Sequence, residues 1–185
     1  MRRYLMPSIA VAVAVALLAL LAYGINNQGE NLSIDSQIAH GHDPVAPSAH
    51  DALDMLGSSG KADLADFRGQ VVVMNIFASW CTDCVGESPV LEQAQQMLKG
   101  HGGTVLGVTY LDNSIDARQF VTAHHLTYPV IEDVNGNLVR SYGTDAVPET
   151  FVIDRAGRVA AAMRSVVSSQ WLAQAISRAE KQSSA

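Results

Sequence analysis

The chain has 185 residues, 48% of them hydrophobic, and a formal net charge of −6 at pH 7. That length suits one ordinary domain with an appendage, large enough to fold around its own core without disulfide staples. The acidic balance argues against nucleic acid as a partner, because phosphate binding needs a basic face.

Arg2 and Arg3 precede an uncharged stretch from Tyr4 to Gly29, whose heart, Ile9 to Ala22, is aliphatic throughout. A cleaved signal peptide has an apolar region of about 7–15 residues, whereas an uncleaved anchor needs about 20 to span the hydrocarbon. Tyr4 to Ile25 is long enough for the second, and no clear small-x-small cleavage site follows it. Residues 1–25 are therefore expected to be a signal anchor, with a cleaved signal as the alternative. Both readings export the rest of the chain, because the arginines stay cytoplasmic. The expected location is the cell membrane, single-pass, with the C-terminal domain extracytoplasmic; cleavage would make the protein secreted.

The stretch from Asn26 to Ser48 is polar, rich in Gly, Asn, Ser and Gln, and carries Pro44 and Pro47; its residues 26–46 are the expected connecting segment. They read as a flexible linker, leaving 47–185 as the folded domain. His40, His42 and His50 lie in or beside this stretch and read as solvated polar residues rather than a metal tract.

The stretch from Ala52 to Leu64 could supply a small hairpin. Val71 to Phe77 is a nearly continuous apolar, β-rich run, the pattern of a strand covered on both faces. Val90, Leu91, Ala94, Met97 and Leu98 recur at helical spacing within Glu87 to Leu98, and Gly100, Gly102 and Gly103 end that helix. Thr104 to Leu111 is the next buried strand. Ser114 to His124 predicts a helix with Ser114 as N-cap. Tyr128 to Ile131 predicts a short strand, and Asn135-Gly136 a turn leading into a short helical segment through Tyr142. Thr150 to Asp154 and Val159 to Met163 are two strands joined by a hairpin loop at Arg155 to Arg158. Ser168 to Lys181 closes the chain as an amphipathic helix. Strands alternating with helices imply an α/β fold, a central mixed sheet flanked by helices.

The only two cysteines, Cys81 and Cys84, stand three apart. They fall between a buried strand and a helix. That junction places Cys81 near a helix N-terminus, where orphan N–H groups and the dipole favour a thiolate. Two intervening residues put Cys84 one turn on, where it can resolve a mixed disulfide on Cys81. Zinc would need a second cysteine pair, which is absent. A c-type haem would need histidine at position 85, which is Val.

The run Asn75 to Cys84 resembles the active-site segment of thioredoxin-like proteins. Asp66-Phe67-Arg68-Gly69-Gln70-Val71-Val72-Val73 before it and Ala146-Val147-Pro148-Glu149-Thr150-Phe151-Val152-Ile153-Asp154 after it are similar to the membrane-anchored thiol–disulfide oxidoreductases of the TlpA, ResA and CcmG kind. The resemblance covers about Pro47 to Lys181. It implies a thioredoxin-like fold in which Pro148 is the cis-proline facing the dithiol. Val147 would then offer a backbone edge to a substrate segment, and Trp80 would pack beside the site. Glu87 matches a glutamate of ResA-like reductants; buried near Cys84, it would have a raised pKa and exchange a proton with that thiol. Asn75 stands where thioredoxin has a buried aspartate. Glu149 belongs to the pattern as well, near the site or on the surface. The sequence departs from the family pattern at Thr82 and Asp83, where related proteins often have proline at the second position. The Asp83 carboxylate should disfavour a Cys81 thiolate, and a less stable reduced form means a more reducing couple.

The expected protein is a dithiol–disulfide exchange enzyme with Cys81, Cys84 and Glu87 as its catalytic residues. It would use no metal and no cofactor beyond the Cys81–Cys84 couple. By resemblance its substrates are disulfides of exported proteins such as apocytochrome c, in cytochrome c maturation, with electrons from a membrane dithiol donor. The alternatives are a disulfide oxidase or isomerase and, in a different class, a metal-binding or copper-delivery protein.

Overall fold

The computed structural model describes Leu17 and residues 33–182. Apart from Leu17, the expected membrane segment lies outside the described residues. No helix among the described residues is long and apolar enough to cross a membrane. The described residues from Ser33 onward form one compact unit.

Its elements run in chain order as follows. Helix α1 is Ile34–Ala39; β1 and β2 are Leu53–Met55 and Lys61–Ala62; a 3-10 turn spans Leu64–Phe67. Strand β3 is Val71–Phe77, α2 is Thr82–Lys99, β4 is Gly103–Tyr110 and α3 is Ser114–Ala123. Then come β5 (Val130–Asp133), α4 (Asn137–Ser141), β6 (Glu149–Ile153), β7 (Val159–Met163) and α5 (Ser169–Gln182). The seven strands form one sheet in the order β2-β1-β5-β4-β3-β6-β7. Strands β3, β4 and β5 are parallel, and β1, β6 and β7 pair antiparallel with their neighbours. The mixed α/β sheet expected from the alternation is what forms.

Strand β3 is buried along its whole length. Side chains on a strand alternate between faces, and here they divide two cores. Val71, Val73 and Phe77 join Leu91, Ala94, Leu98, Phe120 and Leu172 on the side of α2, α3 and α5. Val72, Met74 and Ile76 join Ile34, Leu138, Val139 and Tyr142 on the side of α1 and α4. The same alternation puts Asn75, the one polar residue of the strand, on the α2 face.

Most elements fall where the sequence places them, with informative differences. Helix α2 starts at Thr82, earlier than its apolar period shows, because its first turn is mostly exposed and carries little hydrophobic pattern. Strand β5 starts at Val130, after Pro129, which has no N–H to give a ladder. The cap of α3 is Asn113 rather than Ser114: the Asn113 Oδ1 accepts from the Ile115 and Asp116 N–H groups at 3.1 and 3.0 Å.

The largest difference is at the N-terminal side. The compact unit begins at Ser33, not at residue 47. The stretch expected as linker carries α1, and its Ile34 and Ala46 are buried in the core. Residues 44–46 pair with the open edge of β7: Val159 N–H donates to the Pro44 carbonyl at 2.8 Å and Ala46 N–H to the Gly157 carbonyl at 2.9 Å. An uncovered edge strand is a template for aggregation, and this segment covers the start of the β7 edge. Polar composition hid it, since only a few apolar residues do the docking.

Replacing Asn113 by Ala should lower unfolding stability by about 1 kcal/mol, the usual worth of an N-cap. Ser114→Ala should be close to neutral. Urea denaturation of the two variants checks this; the reverse ranking would return the cap to Ser114.

Candidate active site

Strand β3 ends at Phe77, and residues 78–81 turn into α2. Cys81 is the N-cap of that helix, and its Sγ accepts the Cys84 N–H at 3.1 Å. Cys81 and Cys84 are joined in a disulfide. Cys81 keeps 6% of its surface exposed and Cys84 2%, so Cys81 is the more accessible sulfur. The free N–H groups and dipole of the helix N-terminus lie beside Cys81, and they favour negative charge there once the bond is reduced.

The turn is tethered from the neighbouring strand. After β4, Leu111 takes a positive φ of 48°, and Asp112 follows it into the turn. The Asp112 carboxylate accepts from Ser79 N–H at 2.6 Å and from Ser79 Oγ at 2.8 Å. Asp112 was not singled out by the sequence. An aspartate just past the C-terminal end of a buried parallel strand beside the dithiol strand was the available signal.

Glu87 lies one turn beyond Cys84 and is fully buried. Its Oε1 accepts from Asn75 Nδ2 at 2.7 Å, and its Oε2 from Val167 N–H at 3.1 Å. Asn75 Nδ2 also reaches Thr150 Oγ1 at 3.1 Å, so β3 and the segment before α5 meet on the α2 carboxylate and β6 joins through Asn75. Burial pushes the Glu87 carboxyl above its ordinary value of 4.5. The Asn75 and Val167 hydrogen bonds pull it back in part, and the Asp83 charge adds to the rise. Tyr128, also buried, has its phenol pushed up by burial and then by the charges of Glu87 and Glu92. Tyr128 is thus a neighbour of the buried carboxylate that the sequence did not reveal.

Pro148 follows a cis peptide bond from Val147 and is buried. Glu149 pairs with Ile76 in the β3–β6 register, which sets Pro148 at the same end of the sheet as the dithiol turn. Val147 is partly buried and packs against both cores, one of which includes Cys81 and Cys84. Glu149 is buried rather than on the surface, and Arg164 Nη1 donates to its Oε2 at 2.6 Å. Trp80 adjoins Cys81 in the chain with 61% of its surface exposed, so its ring is not a core aromatic. Among the described residues, no three His, Cys, Asp or Glu side chains gather as a metal-binding group.

Residues 47–162 match the AhpC/TSA family. The thiol-disulfide oxidoreductase ResA of Bacillus thuringiensis subsp. konkukian is 30% identical over 99 residues, which are 54% of this chain and 57% of that protein. The thiol:disulfide interchange protein DsbE of Pseudomonas fluorescens is 36% identical over 94 residues, 50% of this chain and 51% of that one. The chain thus spans little more than half the length of these relatives. A solved DsbF homologue from Corynebacterium diphtheriae is 32% identical, with a TM-score of 0.64 over 72% of this chain and 85% of that one.

A raised carboxyl pKa means that the folded state binds the Glu87 proton more tightly than the unfolded chain does. Stability should therefore fall as pH rises from the ordinary value of 4.5 through the folded value. Glu87→Gln should flatten that slope. Denaturation midpoints measured across this range for both proteins test it; equal slopes would contradict the assignment.

Proposed function

Since the chain belongs to the AhpC/TSA family, we propose that it is a ResA- or DsbE-like thiol–disulfide oxidoreductase that reduces disulfides of exported proteins. The observation that carries this reading is the Cys81–Cys84 pair on a helix N-terminus, with a buried, hydrogen-bonded carboxylate one turn further on.

In the reduced protein, the Cys81 thiolate attacks one sulfur of a substrate disulfide. That bond breaks, the other substrate sulfur leaves as thiolate, and a mixed disulfide joins Cys81 to the substrate. Cys84 gives its proton to Glu87 and attacks the Cys81 sulfur. The mixed disulfide breaks, the second substrate sulfur leaves as thiolate, and the Cys81–Cys84 disulfide remains. Two electrons pass to the substrate; one leaving thiolate takes the proton held by Glu87, and the other takes from solvent the proton that Cys81 released on ionising. An external dithiol resets the couple by the reverse sequence. The Glu87 role is supported by its burial, since a carboxylate short of solvent is a stronger base than one in water.

Val147 and Pro148 stand at the edge where a substrate segment would pair, and exposed Trp80 offers apolar surface beside Cys81. On this reading an apocytochrome c with oxidised thiols is a fitting substrate, within cytochrome c maturation. A membrane dithiol carrier is the fitting electron donor. Arg2, Arg3 and the apolar run after them support an extracytoplasmic, membrane-tethered site for the reaction.

The reduction potential of the Cys81–Cys84 couple, measured by equilibration with glutathione, should lie near or below about −220 mV. A value near about −120 mV would make the protein a disulfide donor instead.

The rate of exchange should rise with pH as Glu87 ionises, through its raised pKa. Glu87→Gln should remove that limb and slow the resolving step by about 10²-fold, the scale of general base catalysis. Stopped-flow decay of a trapped mixed disulfide checks it, and an unchanged rate and profile would remove Glu87 from the chemistry.

A further inference from the structure

The guanidinium of Arg164, just after β7, joins three parts of the unit. Its Nη1 donates to Glu149 Oε2 at 2.6 Å, and its Nη2 to the Tyr142 carbonyl at 3.2 Å. These two acceptors are the two ends of the loop that carries Val147 and Pro148. The guanidinium carbon stands 4.8 Å from the centre of the Phe151 ring, which fixes its plane. Within the loop, Thr144 Oγ1 donates to Glu149 Oε1 at 2.5 Å and accepts the Ala146 N–H at 3.1 Å. The loop is therefore closed on Glu149, and Glu149 is held by Arg164.

The remaining side of Arg164 is occupied by α1. Its Nε and Nη2 donate to the Asp35 carboxylate, at 3.2 and 2.7 Å to Oδ2. A fork of this kind sets orientation as well as charge. Ile34, beside Asp35, is buried in the core and anchors the helix that presents the carboxylate. Ser33 Oγ caps the same helix, accepting the Ser36 N–H at 3.2 Å.

We propose that α1 is a strut for the cis-proline loop, with Asp35 a positioning residue that acts through Arg164 and Glu149 on the edge where a polypeptide substrate pairs. The inference rests on the exchange reading of the dithiol. Asp35 touches neither cysteine, so its effect should be confined to substrates that use the loop. A small disulfide that meets only Cys81 should not sense it.

The test uses the reduced full-length protein and two probes that release the same thionitrobenzoate. One is dithiobis-nitrobenzoate itself; the other is a synthetic extended peptide whose cysteine is disulfide-linked to thionitrobenzoate. Asp35→Ala should slow release from the peptide probe by about two- to fivefold, the scale of a half-exposed ion pair. Release from the small probe should stay at the wild-type rate. Asp35→Asn, which keeps the shape of the side chain, should show the same selectivity, and Asp35→Glu should restore the peptide rate. Asp43 supplies the control. It holds the same N-terminal segment through Arg178, at 2.8 Å, without touching Arg164, so Asp43→Ala should leave both rates unchanged.

Equal slowing on both probes, no slowing on either, or the same selective loss in Asp43→Ala would each overturn the strut. A wild-type protein that releases thionitrobenzoate from neither probe would instead overturn the exchange reading, and the strut with it.

Discussion

A carboxylate sealed from water has to be satisfied by the protein, and the site is organised around that requirement at Glu87. Leaving a buried charge without partners costs several kcal/mol, so the fold must bring donors to both oxygens. Asn75 arrives from β3 because strand alternation turns it toward α2. The Val167 N–H arrives from the segment before α5. Thr150 shares the Asn75 amide and draws β6 into the same cluster. With Glu87 so placed, the rotation of α2 about its axis is set, and with it the positions of Cys84 one turn back and Cys81 at the cap.

Around this node the dithiol turn is held from two sides by different chemistry. On the β4 side, Asp112 accepts hydrogen bonds from the Ser79 backbone and hydroxyl, a tether at the C-terminal end of a parallel strand. On the β6 side, the cis-proline loop is closed by Glu149 and Arg164. Both tethers are polar hydrogen bonds, made beside the packing of Val147 on the two cores. Each places a charged, hydrogen-bonded group where a hydrophobic contact would have closed the surface. The exposed ring of Trp80 fits this division, since its neighbours in β3 are buried while it faces solvent.

The N-terminal segment has a second, structural role in the same unit. It pairs with the start of β7 through residues 44–46 and so covers that end of the strand's outer edge. Its ion pairs, Asp35 with Arg164 and Asp43 with Arg178, are partly exposed. Each is worth little alone in water, and the buried Ile34 and Ala46 supply the apolar contact that makes them form.

Much of this was legible in the amino-acid order because it rests on local patterns. The apolar run Val71–Phe77 has the pattern of a doubly covered strand, and two cysteines three apart at its exit fit the start of the next helix. The alternation of strands and helices carried the α/β class, and the three-residue step from Cys84 to Glu87 put both on one helix face. What waited for the tertiary structure was each contact between residues far apart in the chain. Asn75 is 12 residues from Glu87, and Val167 is 80. Asp35 and Arg164 are 129 apart, which is why a polar stretch with one helical turn in it read as linker. The Asn113 cap was lost for a smaller reason: adjacent Asn and Ser are both good caps, and only the backbone angles decide between them. Spacing along the chain determined where the sulfurs sit. Packing decided what surrounds them, because a buried polar group takes its partners from whichever elements the fold brings within hydrogen-bond reach.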